Sequence, residues 1–413
     1  MKNRVKILVF IILGSVLNDT YSQGNIVNIG SSGSPLNTIR TGAPVLSINT
    51  NPQAMGMGYI GVVASELNTQ NGLDQNPALL SSEEDVFGAQ ILNYSPHARN
   101  SPIASRLFES GIYASLGKHS FSFSSRYLSL SEIFTTDIVG NVTNTFTPFE
   151  FFVSGSYAYK LSKNLSIGGS LKYLHSDFTD GTIIQGIPTM PANVIAGDLG
   201  LSYRKTLKET ESFKFKWNLG ISVLNIGNKV RYVESADGLF LPQTLKLGSL
   251  FTLQWKKENK NYFAIDFAYQ ADKLLVPTPP IYAFNPTNGF VIVEGLDPNV
   301  NPFRGIVQSF YDAPEGFNEE LREIIHHFGT EARLSFADNK ILAALRAGYF
   351  NEHNTKGARK FFTAGAGIGL LGMRVDFAKV FPTAKNHPLK GTYFISLGLR
   401  LSLNEGSYFR FLE

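Results

Sequence analysis

The sequence contains no cysteine, and only 17% of its residues are Asp, Glu, Lys or Arg. Without cysteine there is no disulfide, no thiolate nucleophile and no cysteine-ligated zinc. Soluble globular chains carry about 25% charged residues, so the low charge indicates another class of protein. The formal net charge is +4 without any basic run, which gives no support for nucleic-acid binding. Beyond the N-terminus, no run approaches the roughly 20 apolar residues of a transmembrane helix.

The N-terminus has the three parts of a secretory signal. Basic residues within the first six positions precede an apolar core at 7–17, and the small residue Ser22 follows it. The core is too short to span a bilayer. We therefore predict a signal peptide over residues 1–22 and export of the remainder. The alternative is a buried N-terminal strand or helix.

Apolar and polar residues alternate along much of the chain, most regularly from Phe213 to Val223. Successive side chains of a strand point to opposite faces, so this pattern predicts strands with one apolar and one polar face. About fourteen such segments have the 10 to 15 residues of a tilted membrane-crossing strand, whereas soluble strands have about five or six. They are predicted at 85–95, 107–117, 120–130, 147–161, 165–175, 193–204, 212–224, 243–255, 261–271, 324–336, 340–350, 360–370, 372–381 and 391–403.

The predicted connections alternate between short and long. Short gaps such as 162–164 and 337–339 follow every second strand, and long gaps such as 131–146 and 176–192 lie between them. Outer-membrane barrels combine short periplasmic turns with longer outside loops in this way. The predicted fold is therefore all-β, a transmembrane antiparallel β-barrel of about 14 strands over residues 85–403. The alternative is a soluble all-β sandwich or jelly roll.

An even number of strands returns both ends of the barrel to one side of the membrane. We therefore predict an outer-membrane protein with both termini in the periplasm and a periplasmic tail at 404–413. Residues 23–84 precede the first strand and contain apolar pieces at 45–48 and 60–64 that need burial. Because a barrel of this size has room inside, we predict that 23–84 form a plug. The alternative is a disordered periplasmic arm.

Three motifs that could carry chemistry are better explained by strands. The stretch 367–372 has the spelling of a dinucleotide-binding loop, but a strand follows it and no acidic residue lies about 20 positions on. His326 and His327 are adjacent, so their side chains point to opposite faces of a strand and cannot chelate one metal. Asp266 and Asp376 are expected in a polar lumen. We predict no catalytic residue, metal or cofactor, although a Ser/His/acid site built from distant strands leaves no motif.

A long segment, 273–325, separates two predicted strands. Loops beyond about 12 to 15 residues are usually functional or disordered, and disordered segments contain few large apolar residues. Phe317, Leu321 and Ile324 have helical spacing and predict a short amphipathic helix. We interpret the loop as an outside element that binds a partner or cargo; the alternative is a cap folded onto its own barrel. The residues assigned to binding are Tyr282, Phe284, Phe290, Val291, Phe303, Phe310 and Phe317.

Short motifs are spread over nearly the whole chain after the signal. They are Pro44-Val45-Leu46-Ser47-Ile48, Ala54-Met55-Gly56-Met57-Gly58, Gly61-Val62, Asp74-Gln75-Asn76-Pro77-Ala78, Tyr94-Ser95-Pro96, Asp312-Ala313-Pro314-Glu315-Gly316-Phe317, Arg346-Ala347-Gly348-Tyr349-Phe350 with Glu352-His353, and Asn386-His387-Pro388-Leu389. Together they resemble the PorV family of the type IX secretion system. The plug motif Asn76-Pro77-Ala78 is shared with the wider fatty-acid-transporter-like barrels. Tyr59, where the family often has Asp, and His97, where it often has Trp, depart from the pattern and leave the paralogous PorQ family as an alternative.

The resemblance implies a barrel of the FadL type, of about fourteen strands, with an N-terminal plug. It also implies three kinds of partner besides outer-membrane lipid: the SprA (Sov) translocon barrel, secreted cargo with a C-terminal signal domain, and the cell-surface attachment complex. We therefore predict binding and shuttling rather than catalysis. A transporter of hydrophobic solutes, which needs an apolar pocket between plug and wall, is one alternative. A lipopolysaccharide-deacylating enzyme is the other, and no motif supports it.

Overall fold

The computed structural model describes residues 36–64, 69–82, 85–96, 106–136, 139–184, 187–257, 260–336, 341–384, 387 and 389–402. The predicted signal peptide and the predicted tail lie outside these residues, as do the motif residues His97, Asn386 and Pro388. The predicted plug is described from Leu36 onward.

Fourteen long strands in the described part of the chain close into one antiparallel barrel, as predicted. The seam is formed by the first and last strands, with Val86 opposite Ser402. The short pairs β4–β5, β8–β9 and β14–β15 are hairpins in the connections. In chain order the strands are β1 Val86–Pro96, β2 Arg106–Leu116, β3 His119–Ser129, β4 Ile133–Thr136, β5 Val142–Phe146, β6 Phe149–Lys160, β7 Leu165–Asp177, β8 Ile183–Ile184, β9 Ile187–Pro188, β10 Ala192–Glu209, β11 Phe213–Gly227, β12 Thr244–Lys257, β13 Lys260–Leu274, β14 Ile281–Asn285, β15 Gly289–Glu294, β16 Ile325–Phe336, β17 Ile341–Asn351, β18 Lys360–Leu370, β19 Met373–Pro382 and β20 Tyr393–Ser402.

The barrel has an apolar exterior and a polar interior. Along β19, Met373, Val375 and Phe377 are exposed on the outside, whereas Arg374 and Asp376 are buried inside. This arrangement is the reverse of a soluble protein and is the one expected where lipid is the outer solvent. The structure therefore supports the membrane barrel over the soluble all-β alternative.

Aromatic side chains gather on the exterior near both ends of the strands. At one end Trp255 contacts Phe213 and Phe263, with ring centroids 5.7 and 5.4 Å apart. At the other end Tyr349 contacts Phe362 with centroids 4.7 Å apart. Aromatic belts of this kind lie at the two membrane–water interfaces of outer-membrane barrels.

The described connections alternate in length as predicted. At one end they are turns of two to four residues, and at the other they extend to the long segment 275–324. β10 is longer than the predicted 193–204, because 205–209 continue to pair with β11 instead of turning. The dinucleotide-like motif forms the end of β18 and a tight turn, in which Leu371 and Gly372 have φ values of 50° and 87°.

The segment before the barrel lies in the lumen and forms the plug. It contains helix α1 Pro52–Gly56 and 3-10 turns at Pro44–Leu46, Thr69–Leu73 and Pro77–Ser82. Both apolar pieces that need burial supply buried residues, including Val45 and Val62. None of the helices in the described residues has the length and apolarity to cross a membrane.

Glycines on the lumenal face of the wall let the plug backbone approach it. A β-carbon on Gly168 would lie 2.6 Å from the carbonyl carbon of Pro77, and one on Gly329 would lie 2.5 Å from the oxygen of Met57. Real β-carbons do not approach other atoms so closely. Part of the glycine content is therefore explained by clearance between plug and wall.

Candidate functional site

The connection between β13 and β16, residues 275–324, is termed the cap. It contains the β14–β15 hairpin, helix α2 Pro302–Gln308 and helix α3 Phe317–Arg322. The predicted helix is thus confirmed.

A buried ionic cluster attaches the cap to the barrel. The Nζ of Lys273, at the end of β13, lies 2.8 Å from Glu320 and 2.6 Å from Glu323. The Nζ of Lys356, in the connection after β17, lies 2.5 Å from Glu319 and 3.0 Å from Glu323. All five side chains are buried. Removing one partner from such a cluster leaves buried charge uncompensated, which is strongly destabilising.

Two further groups extend this cluster into the cap. The hydroxyl of Thr278 donates to Glu323 at 2.6 Å, and its backbone N–H donates to Oδ2 of Asp312 at 3.1 Å. Burial raises the pKa of Asp312 to about 6. Burial also acts to raise the pKa of Glu319, but the hydrogen bonds from Lys356, the backbone of Glu315 and Asn37, together with the charge of Lys356, outweigh it and the pKa is lowered.

Helix α3 turns its acidic residues inward and its apolar residues outward. Glu319 and Glu320 are buried in the ionic cluster, whereas Phe317 is 74% and Leu321 is 48% exposed. A surface helix normally buries its apolar stripe. The sequence predicted the amphipathic helix, and the structure shows that its polar side faces the barrel.

Helix α2 has the same inverted arrangement. Phe303 and Val307, one turn apart, are 72% and 61% exposed. Gln308 is buried and its side-chain amide donates to the backbone oxygen of Asp297 at 2.9 Å. The two helices therefore present apolar surface on the outside of the molecule.

The β14–β15 hairpin adds exposed aromatic residues. Tyr282, Phe284 and Phe290 are exposed, and the rings of Phe284 and Phe290 meet edge-on at 5.6 Å. Val291 is half-buried. The hairpin is a two-stranded sheet with no third strand among the described residues, a form that is marginally stable in water by itself.

All seven residues that the sequence assigned to partner binding lie in the cap. Four are in the hairpin, Phe303 is in α2, Phe317 begins α3, and Phe310 lies between the helices with half of its surface exposed. Their role in binding stays a prediction. The ionic cluster could not be predicted from the sequence, since Lys273 and Lys356 are far apart in the chain. The only sequence signal was the glutamates interleaved with Phe317 and Leu321.

The plug motif fixes the plug to the wall. The side-chain amide of Asn76 donates to the backbone oxygens of Val62 at 2.9 Å and Leu201 at 3.1 Å, and its oxygen accepts from the N–H of Ala78 at 3.1 Å. Pro77 packs against Gly168. The motif therefore joins two parts of the plug to strand β10.

Charged groups of the lumen are paired with one another and with the plug. Arg126 binds Asp74 of the plug and donates to the backbone oxygen of Ile48 at 2.6 Å. Asp376 accepts from Gln53 of α1 and from Arg346, each at 2.9 Å. These ion pairs and hydrogen bonds hold the plug to the barrel wall.

Asp266 and the two adjacent histidines lie on the faces of their strands that the sequence predicts. Asp266 is buried in the lumen and pairs with Arg333 at 3.0 Å. His327 faces inward, where its Nδ1 lies 2.9 Å from the backbone oxygen of Gly58, and His326 faces outward beside Tyr269.

A cavity of about 410 Å³ lies at the cap end of the lumen, between the plug and the wall, and Glu323 is its lining residue from the cap. Its apolar lining includes Leu46 and Met55 of the plug and Leu274 and Phe361 of the wall. Its charged lining groups are paired: Lys246 lies 3.2 Å from Asp272, and Arg359 lies 2.8 Å from Glu352.

Comparisons with solved structures find proteins that match most of this chain at low sequence identity. The toluene transporter TbuX of Ralstonia pickettii is 12% identical, with 85% of this chain and 96% of that chain covered and a TM-score of 0.42. The monoaromatic hydrocarbon channel CymD is 15% identical over 84% and 95%, with a TM-score of 0.43. A FadL homologue of Pseudomonas aeruginosa is 10% identical over 89% and 100%, with a TM-score of 0.41.

No curated protein matches the chain. The protein family described as "Type IX secretion system protein PorV" matches residues 32–281, which is more than half of the sequence. That range includes the plug, with its Asn76-Pro77-Ala78 motif, and the first nine barrel strands. The chain belongs to the PorV family of type IX secretion system proteins.

Proposed function

We propose that this outer-membrane protein binds the SprA-type translocon barrel and accepts secreted cargo through the cargo's C-terminal signal domain, for delivery to the attachment complex at the cell surface. The binding element is the cap. The observation that carries the proposal is the inverted orientation of helices α2 and α3, whose apolar faces point away from the barrel.

The energetics of the cap support a partner. Ordering the backbone costs about 1–2 kcal/mol per residue, and burial of apolar surface normally offsets that cost at about 25 cal/mol per Å². In the cap, Phe303, Phe317 and Phe284 are each at least two-thirds exposed. Contiguous apolar patches on a protein surface usually mark interaction sites. A protein partner that covers the cap would remove this surface from water.

The blocked lumen supports binding over conduction. The plug is latched by Arg126 and Asp376 and lies against the wall at glycines, so a folded polypeptide has no passage through this barrel. We propose that the short-turn end faces the periplasm and the cap faces the cell exterior, because short turns are periplasmic in bacterial barrels. The C-terminal end of β20 then lies on the periplasmic side.

The proposal is tested by making the outer face of α3 polar. In the double variant Phe317→Ser/Leu321→Ser, the inward glutamates are untouched. We expect the barrel to insert and remain heat-modifiable on gels, while co-purification with a very large barrel protein and export of cargo are lost. Val142→Ser, at an exposed apolar position of the β4–β5 hairpin, is the control. Full co-purification and export by the double variant would overturn the cap as the binding element.

A second candidate function is the uptake of hydrophobic solutes, and the cavity of about 410 Å³ favours it. The test is to fill the cavity by Met55→Trp and to extract the purified protein for bound apolar molecules. If the protein is a transporter, the wild type yields a bound lipid or hydrocarbon that the variant lacks, and export of cargo is unchanged. An empty extract from the wild type contradicts this function.

A further inference from the structure

The described chain begins at the cap end of the barrel. The backbone N–H of Asn37 donates to the oxygen of Thr355 at 2.9 Å, in the long connection after β17. Its side-chain amide donates to the oxygen of Pro279 at 3.2 Å and to Glu319 at 2.9 Å, both in the cap. Asn37 is therefore held by two different outer connections.

A few residues later the chain contacts a third outer connection. The N–H of Gly42 donates to the oxygen of Phe240 at 2.8 Å, in the connection between β11 and β12. We term residues 36–43 the strap. Through Asn37 and Gly42 the strap joins the connections that contain Phe240, Pro279 and Thr355. It also lines the cavity at the cap end of the lumen.

The other end of the plug lies at the opposite end of the barrel. Asp85, just before β1, accepts a hydrogen bond at 3.0 Å from the N–H of Gly117 in the short turn between β2 and β3. Between Asn37 and Asp85 the plug contacts the lumenal wall at several levels. The chain thus runs from the cap end, through the lumen, to the short-turn end.

We infer that the N-terminal segment, described from Leu36 onward, is threaded through its own barrel, so that the strap is part of the outer, partner-facing surface. Arg40 is exposed on the strap, so a protein partner that covers the cap would meet a cation and backbone amides beside the apolar helices. The contribution to partner binding rests on the proposed function; the threading does not.

The absence of cysteine makes the test direct. Three single-cysteine variants, Arg40→Cys in the strap, Thr287→Cys at the hairpin tip and Lys163→Cys in a short turn, are all at exposed positions. Intact cells lacking the translocon are treated with a membrane-impermeant maleimide. We expect Arg40→Cys and Thr287→Cys to be labelled at once, and Lys163→Cys only after the outer membrane is permeabilised. Labelling of Arg40→Cys together with Lys163→Cys would overturn the inference.

A cross-link keeps the test decisive if Arg40→Cys is shielded in cells. Because the Asn37 amide and the Glu319 carboxylate are 2.9 Å apart, a short bifunctional thiol reagent should cross-link Asn37→Cys/Glu319→Cys and change gel mobility after heat denaturation. Each single variant is the control. If Arg40→Cys stays unlabelled in intact cells and no cross-link forms, the inference is wrong. Since neither measurement involves the translocon, failure of the proposed partner leaves both results valid.

Discussion

Gly200 of β10 lies directly against Asn76 of the plug, and a β-carbon at position 200 would overlap the side-chain oxygen of Asn76. That oxygen accepts a hydrogen bond from Ala78, and the amide group also holds Val62 and Leu201. Because residue 200 is glycine, the wall has room for the side chain of Asn76, which hydrogen-bonds to Val62, Ala78 and Leu201.

Gly200→Ala should accordingly loosen the plug. Overlap of this kind typically costs about 1–3 kcal/mol, and here it falls on hydrogen bonds that join plug and wall. We expect a heat-modifiable barrel with higher single-channel conductance in planar bilayers and greater sensitivity of cells to large antibiotics. The matched control is Gly155→Ala, because a β-carbon there has no atom within 4 Å. Equal conductance of the two variants would show that the contact at Gly200 does not hold the plug.

Arg126→Met should release the outer part of the plug. Arg126 neutralises Asp74 and Glu109 and donates to the backbone oxygen of Ile48. Without the guanidinium, the buried carboxylates of Asp74 and Glu109 lose their shared positive partner, which should destabilise the folded plug by about 3–5 kcal/mol. The expected result is faster protease cleavage within the plug of the detergent-solubilised barrel. Arg106→Met removes an exposed arginine from the neighbouring strand, and unchanged cleavage is expected for it.

Lys356→Ala should open the cap without unfolding the barrel. The lysine pairs with Glu319 and Glu323 in a buried setting, so its loss costs about 3–5 kcal/mol. Cleavage of the cap by chymotrypsin should become much faster, while heat-modifiability is retained. Arg322, in the same helix as Glu319, forms a solvent-accessible pair with Glu315, which precedes the helix. Arg322→Ala breaks this pair, and such pairs contribute about 1 kcal/mol or less. A cap that resists chymotrypsin equally in both variants would contradict the role of the cluster.

The cap should become less stable as the pH rises from the ordinary pKa of Asp312, 3.8, to its raised pKa of about 6. Burial raises the pKa of Asp312 from 3.8 to about 6, so the folded cap binds this proton more tightly than the open cap does. Stability is then greatest below the ordinary pKa and falls as the pH passes the raised one. Glu320 and Glu323 face the same group and add to the repulsion.

Asp312→Asn removes this titration and leaves an acceptor for the N–H of Thr278. We expect the variant to open less often than the wild type at pH 7.5, by about 1 kcal/mol after allowance for screening by solvent. The two proteins should converge at pH 4. The ratio of their cleavage rates at each pH cancels the protease's own pH dependence and any change at Glu319. A ratio that does not vary with pH would contradict the effect.

The barrel could be predicted from the sequence because strand alternation and connection length are local properties. The segment 212–224 alternates so regularly that its lumenal and lipid faces can be assigned without a structure. The orientation of α3 could not be predicted, because spacing defines a helical face and does not say which face meets the protein. That choice depends on Lys273 and Lys356, which pair with the helix only after the barrel has formed. The direction of the plug likewise depends on Asn37 contacting loops that are distant in sequence.

The pairing of β1 with β20 determines which strand pairing is expected to form last during folding. It joins Val86 to Ser402, residues more than 300 positions apart, so its closure has the largest loop-closure entropy of any strand pairing in this barrel. Pairings between chain neighbours form first and the seam forms last. We expect the plug to be in the lumen by that moment, because Asn37 would otherwise have to pass along a closed lumen to reach Pro279 and Glu319 at the cap end. A chain whose seam closes too early is trapped as an open pore, and escape from that trap requires the seam to unzip.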